Sequence, residues 1–531
     1  MTKNILFFSI DNLRFDCIGY QPDKSELEEH GALGLLRTPS LDAIGEKSLC
    51  FTQCISTNTY TTAAHASIMT GLYPPRHGVR AFFDTSLSPD AITLAEILKQ
   101  NGYRTILYTD TRWLFKQYIG LDRGFDFCET SDDAGLLDLL DDLREEKVFL
   151  FAHMYDVHEP FMHNTNNYQP GCNDDYLPEM KQLYEDFGIA ADFDASIDSS
   201  QIWNRLVRTG PLSDRRIDAL LPVYIKGVSK FDAGRFAFFM GGLGRIDFLD
   251  DCLQLIFSDH GEGKCAQNNK SYFGHAGELF DNVIRVPLMI SHPDLKPRVS
   301  DRLTSVADIA PMTLSLLGLD VHAAQLDGIN CLSETRDSCY AENWISIDQL
   351  EKNLIDDHTL ATEVDELPVC ALSQMALRTI KSKVVVWHRG DSAALLDSAS
   401  GLSNVKFIRA VYAELLGWPA SAAEIEQYLS QLEDGSMSRE DLVDHFLNLE
   451  QYKNRVPFRY DLISDPREEN PVTDLNGEDL VMVEKIKKIN SQAVRTEKIF
   501  RRRTAGEHRP NEGDFPDELE VRRMLKDLGY L

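Results

Sequence analysis

The sequence predicts an α/β protein in which a mainly parallel central sheet carries helices on both faces, followed by a smaller carboxyl-terminal α+β domain. Three observations predict it. Short apolar runs of strand length alternate with segments of helical spacing, the order that buries a parallel sheet between two helix layers. Two of those runs end in polar residues, Asn4–Ile10 in Asp11 and 253–258 in Asp259 and His260, and ligands collect at the carboxyl edge of such a sheet. Beyond Asp327 the pattern loosens, which divides the chain into a catalytic domain over 1–340 and a smaller domain over 341–531.

Taken in order, Asn4–Ile10 is an apolar run bounded by polar residues and reads as a buried strand that delivers Asp11. Residues 38–47 form a helix with Pro39 in its first turn, 49–56 a strand, and a further helix opens near Thr61. A helix over 93–100 and strands over 104–109, 147–153 and 253–258 complete the alternation. The stretch 161–211, rich in Asn, Asp, Tyr and Pro, reads as a long excursion over the sheet edge that shapes a substrate pocket. Later, 383–387 is a strand candidate, and the basic residues of 484–503 read as a solvated helix face.

Composition narrows the function. A chain of 531 residues, 43% hydrophobic and 26% charged, is ordinary globular material with enough length for a large core. It has no run of about 18 apolar residues and no basic, apolar leader, so the expectation is a cytoplasmic protein without a membrane segment. Ten scattered cysteines without a Cys-x-x-Cys pair read as buried thiols of a reducing compartment. With 54 basic against 84 acidic residues the net charge is −30, which repels nucleic acid and anionic lipid. A small anionic substrate therefore needs a local positive site, and a bound metal supplies one. A homo-oligomeric state is left open.

Four separated pieces of sequence carry chemistry. Asp11 and Asn12, followed by Arg14, offer the oxygen ligands that hard divalent cations take; the plainer reading of such an acid is a turn former or helix cap. The segment from Thr59 to Gly71 sets Thr61 at a helix start, where free backbone donors and the helix dipole stabilise an alkoxide or an attacked anion. Read by itself, that threonine is a helix cap. Asp259 and His260 complete a mixed oxygen and nitrogen set suited to Zn, Mn or Mg. The fourth piece supplies histidines, His153 and His158 in one segment and His275 in another, able to protonate a leaving group or hold a second metal.

The order and content of these pieces resemble the sulfatase-like members of the alkaline phosphatase superfamily. Asp11-Asn12-Leu13-Arg14 is similar to the family's Asp-Asp-x-Arg metal motif, Ser67-Ile68-Met69-Thr70-Gly71 to the end of its nucleophile signature, and Asp156-Val157-His158-Glu159-Pro160-Phe161 to its Asp-Pro-His-x-Pro-Tyr. Ser258-Asp259-His260-Gly261-Glu262 resembles its second metal motif, and the closing Leu528-Gly529-Tyr530-Leu531 also falls where the family places it. True sulfatases of the family carry a Cys or Ser, in a Cys-x-Pro-x-Arg context, that becomes formylglycine. Here the aligned positions are Thr61, Ala63 and His65, and threonine cannot yield that aldehyde. The pattern is closer to the Thr-nucleophile relatives, phosphodiesterase and phosphonate hydrolase-like, which act on phosphoryl centres.

The resemblance implies an alkaline phosphatase-like fold and hydrolysis of a phosphate ester, whether phosphodiester, phosphonate or phosphate monoester, through a covalent Thr61 intermediate. It implies one divalent metal (Zn, Mn, Mg or Ca) held by Asp11, Asn12, Thr61, Asp259 and His260, with His158 or His275 as the acid. Asp156, His65 and Arg14 are then substrate contacts, Arg14 alternatively a support for the ligands or a structural ion pair, and Asp156, His158 and His275 the candidates for a second metal. The rival readings are a sulfuric ester hydrolase without formylglycine, a transferase of a phosphoryl-linked group, and a non-catalytic binding protein.

Overall fold

The computed structural model describes residues 2–493 with interruptions, the longest at 162–175, 194–213, 347–369 and 388–395. Most of the expected excursion over 161–211, residues 494–503 and the closing motif at 528–531 lie outside the described residues.

The first strand, β1 (Asn4–Ile10), is buried at all seven positions because both of its faces are covered. Leu6, Phe8 and Ile10 enter one core layer, where Phe8 meets Phe236 edge-on at 5.0 Å. Ile5 and Phe7 enter the other, where Phe7 meets Phe149 at 5.2 Å. This two-sided burial is what the continuous apolar runs predicted. Further along the chain come β2 (Leu49–Ile55), β3 (Tyr103–Thr109), β4 (Phe127–Glu129), β5 (Lys147–Met154), β6 (Cys252–Phe257), β7 (Gly263–Gln267), β8 (Lys270–Gly274), β9 (Arg285–Ser291) and β10 (Arg298–Ser305). Eight of them form one sheet in the order β10-β2-β9-β6-β1-β5-β3-β4, and β7 and β8 pair as a separate hairpin.

All neighbours in the large sheet are parallel except those of β9, which runs antiparallel to β2 and β6. The connection from β6 to β9 explains the exception. Among the described residues it holds only the β7–β8 hairpin and the short helix Asp281–Ile284, so β9 starts at the edge where β6 stops and returns in the opposite direction. As a result Asp259, His260 and His275 all stay at the carboxyl edge.

The carboxyl-terminal region forms a second, antiparallel sheet of β11 (Cys339–Ser346), β12 (Cys370–Arg378), β13 (Ser382–Trp387) and β14 (Phe458–Asp461), in that order. Only β13 had been legible as a strand. Between β13 and β14 sit the helices Asn404–Val411, Ala422–Glu433 and Arg439–Asn448, which share a core of Phe407, Val411, Leu442 and Phe446. This region is tied to the large sheet through buried ions: Arg80 to Glu342 at 2.6 Å, and Arg378 to Asp281 at 2.8 Å. The tie bears on the site, because Glu342 N donates to the Thr57 carbonyl at 3.0 Å and Thr59 Oγ1 to Asn343 at 2.9 Å. The small sheet thus fixes the loop that leads into Thr61. Among the described residues no helix is long and apolar enough to cross a membrane.

Candidate active site

The site is assembled where β1 and β6 leave the sheet side by side. Past the end of β1, Asn12 adopts a left-handed backbone (φ 66°), a conformation that asparagine tolerates better than most residues. The chain reverses there, and Asn12 N donates to Asp259 Oδ1 at 3.2 Å. The Asn12 amide donates to Glu262 at 2.5 Å, while its oxygen accepts from His260 Nδ1 at 3.1 Å. Gly261 lets the β6 loop approach the chain leading to β9, since a Cβ there would lie 2.3 Å from the Asn282 carbonyl oxygen.

Thr61 opens the helix Thr61–Thr70, whose preceding residue Tyr60 supplies no side-chain cap. The Thr61 hydroxyl does not cap it either. It lies 3.4 Å from Asp11 Oδ2 and 3.2 Å from His260 Nε2. Asp11, Asp259 and His260 each bring a ligand atom within 4.8 Å of the others, and all three are fully buried. His260 Nδ1 faces only acceptors, Asn12 Oδ1 and the Gly261 carbonyl, so it carries the proton and Nε2 turns a lone pair to the cluster.

The donor set fits a divalent cation. Among the described residues Asp11 Oδ1 and Asp259 Oδ2 are buried without a hydrogen-bond partner, as is His153 Nε2, 3.1 Å from Asp11 Oδ2; buried carboxylate oxygens of this kind are costly unless positive charge is supplied. Burial and the neighbouring Asp259 push the Asp11 pKa well above the usual carboxylate range. Two carboxylates, an imidazole and a hydroxyl make up a mixed oxygen and nitrogen set.

His275 and His158 border this cluster. His275 stacks over His260 with ring centroids 4.5 Å apart, and His158 meets it edge-on at 5.1 Å while stacking on Tyr155 at 4.1 Å. Burial lowers the pKa of both. Glu262, 3.5 Å from His275 Nδ1, is raised by burial to about 7 despite its bond from Asn12.

Four sequence expectations meet a different geometry. Arg14 is fully buried, and all its donors are taken by Asp16, Glu26 and the Glu262 carbonyl, so it fills the structural ion-pair role rather than reaching a substrate. Asp156 is paired with Arg235 at 2.8 Å, in a cluster with Asp110 and Asp133, and is neither free for a second metal nor turned to a substrate. His65 is fully buried, with Nδ1 on the Thr61 carbonyl and Nε2 on Ser9, so it contacts the helix and β1 instead of a ligand. Asn12, with its oxygen on His260 Nδ1, orients a ligand rather than serving as one. Sequence alone singles out neither Arg235 nor a part for Glu262, and it does not show that Ser9 faces the candidate His153 in the register of β1 and β5. A polar residue at the same point of two adjoining apolar runs was the available signal for that pair. For Arg235, in a π-helical segment Asp232–Phe236, the sequence holds no local signal.

Residues 3–319, more than half of the chain, match the family model described as Sulfatase. The chain belongs to the sulfatase family. A second match, to a domain of unknown function (DUF4214), spans 393–456 and so covers the helices inserted between β13 and β14. An ulvan-active sulfatase of Formosa agariphila is 23% identical over 333 residues, 60% of this chain and 61% of that protein, so the chain spans less than two thirds of this relative. A structure described under the metabolism of multiple glycosaminoglycans by Bacteroides thetaiotaomicron is 14% identical, covers 93% of this chain and 97% of its own, and has a TM-score of 0.55. The phosphonate monoester hydrolase of Agrobacterium radiobacter is 18% identical, with 93% and 96% covered and a TM-score of 0.51. At these identities the solved structures establish the shared sulfatase-family fold.

Proposed function

We propose that this chain hydrolyses a phosphate ester (phosphodiester, phosphonate or phosphate monoester) through a covalent intermediate on Thr61. The observation that carries the reading is the position of the Thr61 hydroxyl, in contact with Asp11 and His260 instead of capping its helix. Asp11, Asp259 and His260 hold a divalent cation. When bound, that ion neutralises substrate oxygens and acidifies the threonine hydroxyl.

Thr61 Oγ1 forms a bond to phosphorus as the ester oxygen departs, and its own proton passes to solvent. His275 or His158, beside the cluster, gives the departing alcohol its proton. Both imidazoles are buried and low in pKa in the free protein, and a bound anion restores their affinity for a proton. Water then opens the phosphothreonine.

The test is a parallel assay of an aryl sulfate, an aryl phosphate monoester, a phosphodiester and a phosphonate monoester. We expect turnover of one or more phosphoryl substrates to exceed that of the sulfate. The opposite order favours the second reading, a sulfuric ester hydrolase that works without formylglycine, to which the similarity to the ulvan-active sulfatase points.

A further inference from the structure

The turn that follows β1 is held at four successive backbone amides. Asp11 N donates to the Met154 carbonyl at 2.9 Å, Asn12 N to Asp259 Oδ1 at 3.2 Å and Leu13 N to Ser258 Oγ at 2.9 Å, so three of them bond to the ends of neighbouring strands. The fourth, Arg14 N, turns away from the sheet and donates to the Tyr224 hydroxyl at 2.9 Å. That hydroxyl is also 2.9 Å from the Asn12 carbonyl oxygen. A backbone N–H only donates and a carbonyl only accepts, so the single hydroxyl proton of Tyr224 points to Asn12. One side-chain oxygen thus bridges Asn12 and Arg14 across the turn.

Tyr224 lies on the helix Asp214–Phe231, where Leu221, Tyr224, Val228 and Phe231 recur at helical spacing and are all buried. Its ring meets Phe161 edge-on at 5.1 Å, and Phe161 meets Phe273 edge-on at 6.0 Å. At Gly227 a Cβ would collide with the Phe161 carbonyl, so glycine lets the helix come this close. Just past the helix, Asp232 accepts from Ser40 N at 3.0 Å and Leu41 N at 2.8 Å. A tyrosine in such a stripe is ordinarily a core residue whose hydroxyl has found a partner. What sets Tyr224 apart is the residue it holds. Asn12 has a left-handed backbone (φ 66°), which persists where the surrounding structure fixes it. From there Asn12 reaches two members of the cluster, Asp259 through its N–H and His260 through Oδ1 at 3.1 Å.

We propose that Tyr224 is a positioning residue of the cation site: its hydroxyl closes the turn at Asn12, and through Asn12 it sets Asp259 and His260 before the ion arrives. The inference rests on the cation reading given above. Groups that orient metal ligands raise affinity because the ion then binds a site already in shape. Tyr224 does this from a helix that contributes no ligand, so the anchoring of that helix on Phe161 and on the helix Pro39–Gly45 is carried to the site through one oxygen atom.

The full-length protein, stripped of metal, is titrated with Mn(II) by calorimetry and, separately, unfolded in urea. We expect Tyr224→Phe, which removes one oxygen and keeps the ring, to bind Mn(II) about tenfold more weakly, the lower end of what is lost when a metal ligand loses the group that orients it. Leu221→Ala, on the same buried stripe but with no hydrogen-bonding group, should lower the urea midpoint and keep the Mn(II) affinity of the wild type. Equal losses of affinity in the two variants would mean that the helix has merely loosened, and overturn the inference. Wild-type affinity in Tyr224→Phe overturns it as well and leaves the cation reading standing. Amide exchange of the metal-free wild type needs no variant to fold: Arg14 N should be protected, and exchange as fast as in an unfolded chain overturns the inference. Failure of the wild type to bind Mn(II), Zn(II) and Ca(II) alike overturns the cation reading, and this inference with it.

Discussion

At the ends of β6 and β1, Asp259 and Asp11 come together, and among the described residues only histidines lie within ion-pairing distance of them. At the ends of the next two strands, β5 and β3, Asp156 and Asp110 instead close around Arg235 with Asp133. The carboxylate side chains of both groups are buried, and both groups lie on the edge where open α/β sheets gather ligands. The difference is whether the protein brings its own cation. Arg235 satisfies the second cluster from within, by bonds of 2.5 to 2.9 Å to the carboxylates of Asp110, Asp133 and Asp156. The first is left with orphaned carboxylate oxygens among the described residues, the condition that the proposed cation would relieve.

The strongest way to test that division is through the residue that only the first cluster serves. Thr61→Ala should lower turnover by about 10³-fold or more while the protein still folds and takes up metal, because in the proposed reaction the hydroxyl supplies the bond to phosphorus. Rates on the best substrate, set beside metal content and near-UV circular dichroism, check this. Wild-type-like turnover would falsify the nucleophile assignment.

Opening the closed cluster should cost stability instead. Arg235→Met leaves three buried carboxylates without their guanidinium, and breaking such a pairing costs about 3–5 kcal/mol. Urea unfolding measures it. A loss under about 1 kcal/mol would mean that the two clusters are not the opposites described here.

Asp259→Asn should act on the ion, with a smaller free-energy effect. It keeps the shape of the side chain and removes a charge, so Mn(II) affinity should drop by about 10–100-fold. Elemental analysis of the purified protein and calorimetry both report it, and undiminished occupancy would remove Asp259 from the ligand set.

The same contrast explains what could be read from the chain in advance. Asp11, Asp259 and His260 were legible because each follows a mostly apolar run, and ligands gather at the edge where such buried parallel strands end. Thr61 was ambiguous, since a threonine at a helix start caps more often than it attacks; its distances to Asp11 and His260 set the hydroxyl beside the cluster and support the proposed role. Arg235 was illegible because its partners come from three distant segments and its own segment has no motif. The contact of Ser9 with His153 depends on the register of two strands, which the residue pattern leaves open. β9 reads as an ordinary apolar run, and its reversed direction follows from the length of a connection rather than from its residues. In β11 and β12 alternation is weak, because one face packs on the large sheet while the other is covered by the helix Gly477–Asn490.

The smallest effect separates a histidine that packs from those that border the ion. His77 is fully buried outside the cluster, accepting from Val79 N at 3.1 Å and facing the Ser67 hydroxyl at 2.9 Å, and burial with Arg80 nearby lowers its pKa to about 3. The unfolded chain takes up a proton at this side chain near pH 6.5 and the folded chain does not, so the unfolded state binds more protons between about pH 3 and 6.5. The stability from keeping His77 neutral is therefore complete above about pH 6.5 and is lost as pH falls, by up to about 1.4 kcal/mol per pH unit. His77→Gln, which keeps a hydrogen-bonding group in place, should flatten this slope by one proton in urea unfolding at pH 7 and pH 5, with metal binding unaltered. If the variant loses metal affinity as well, His77 would belong with the site rather than with the packing around it.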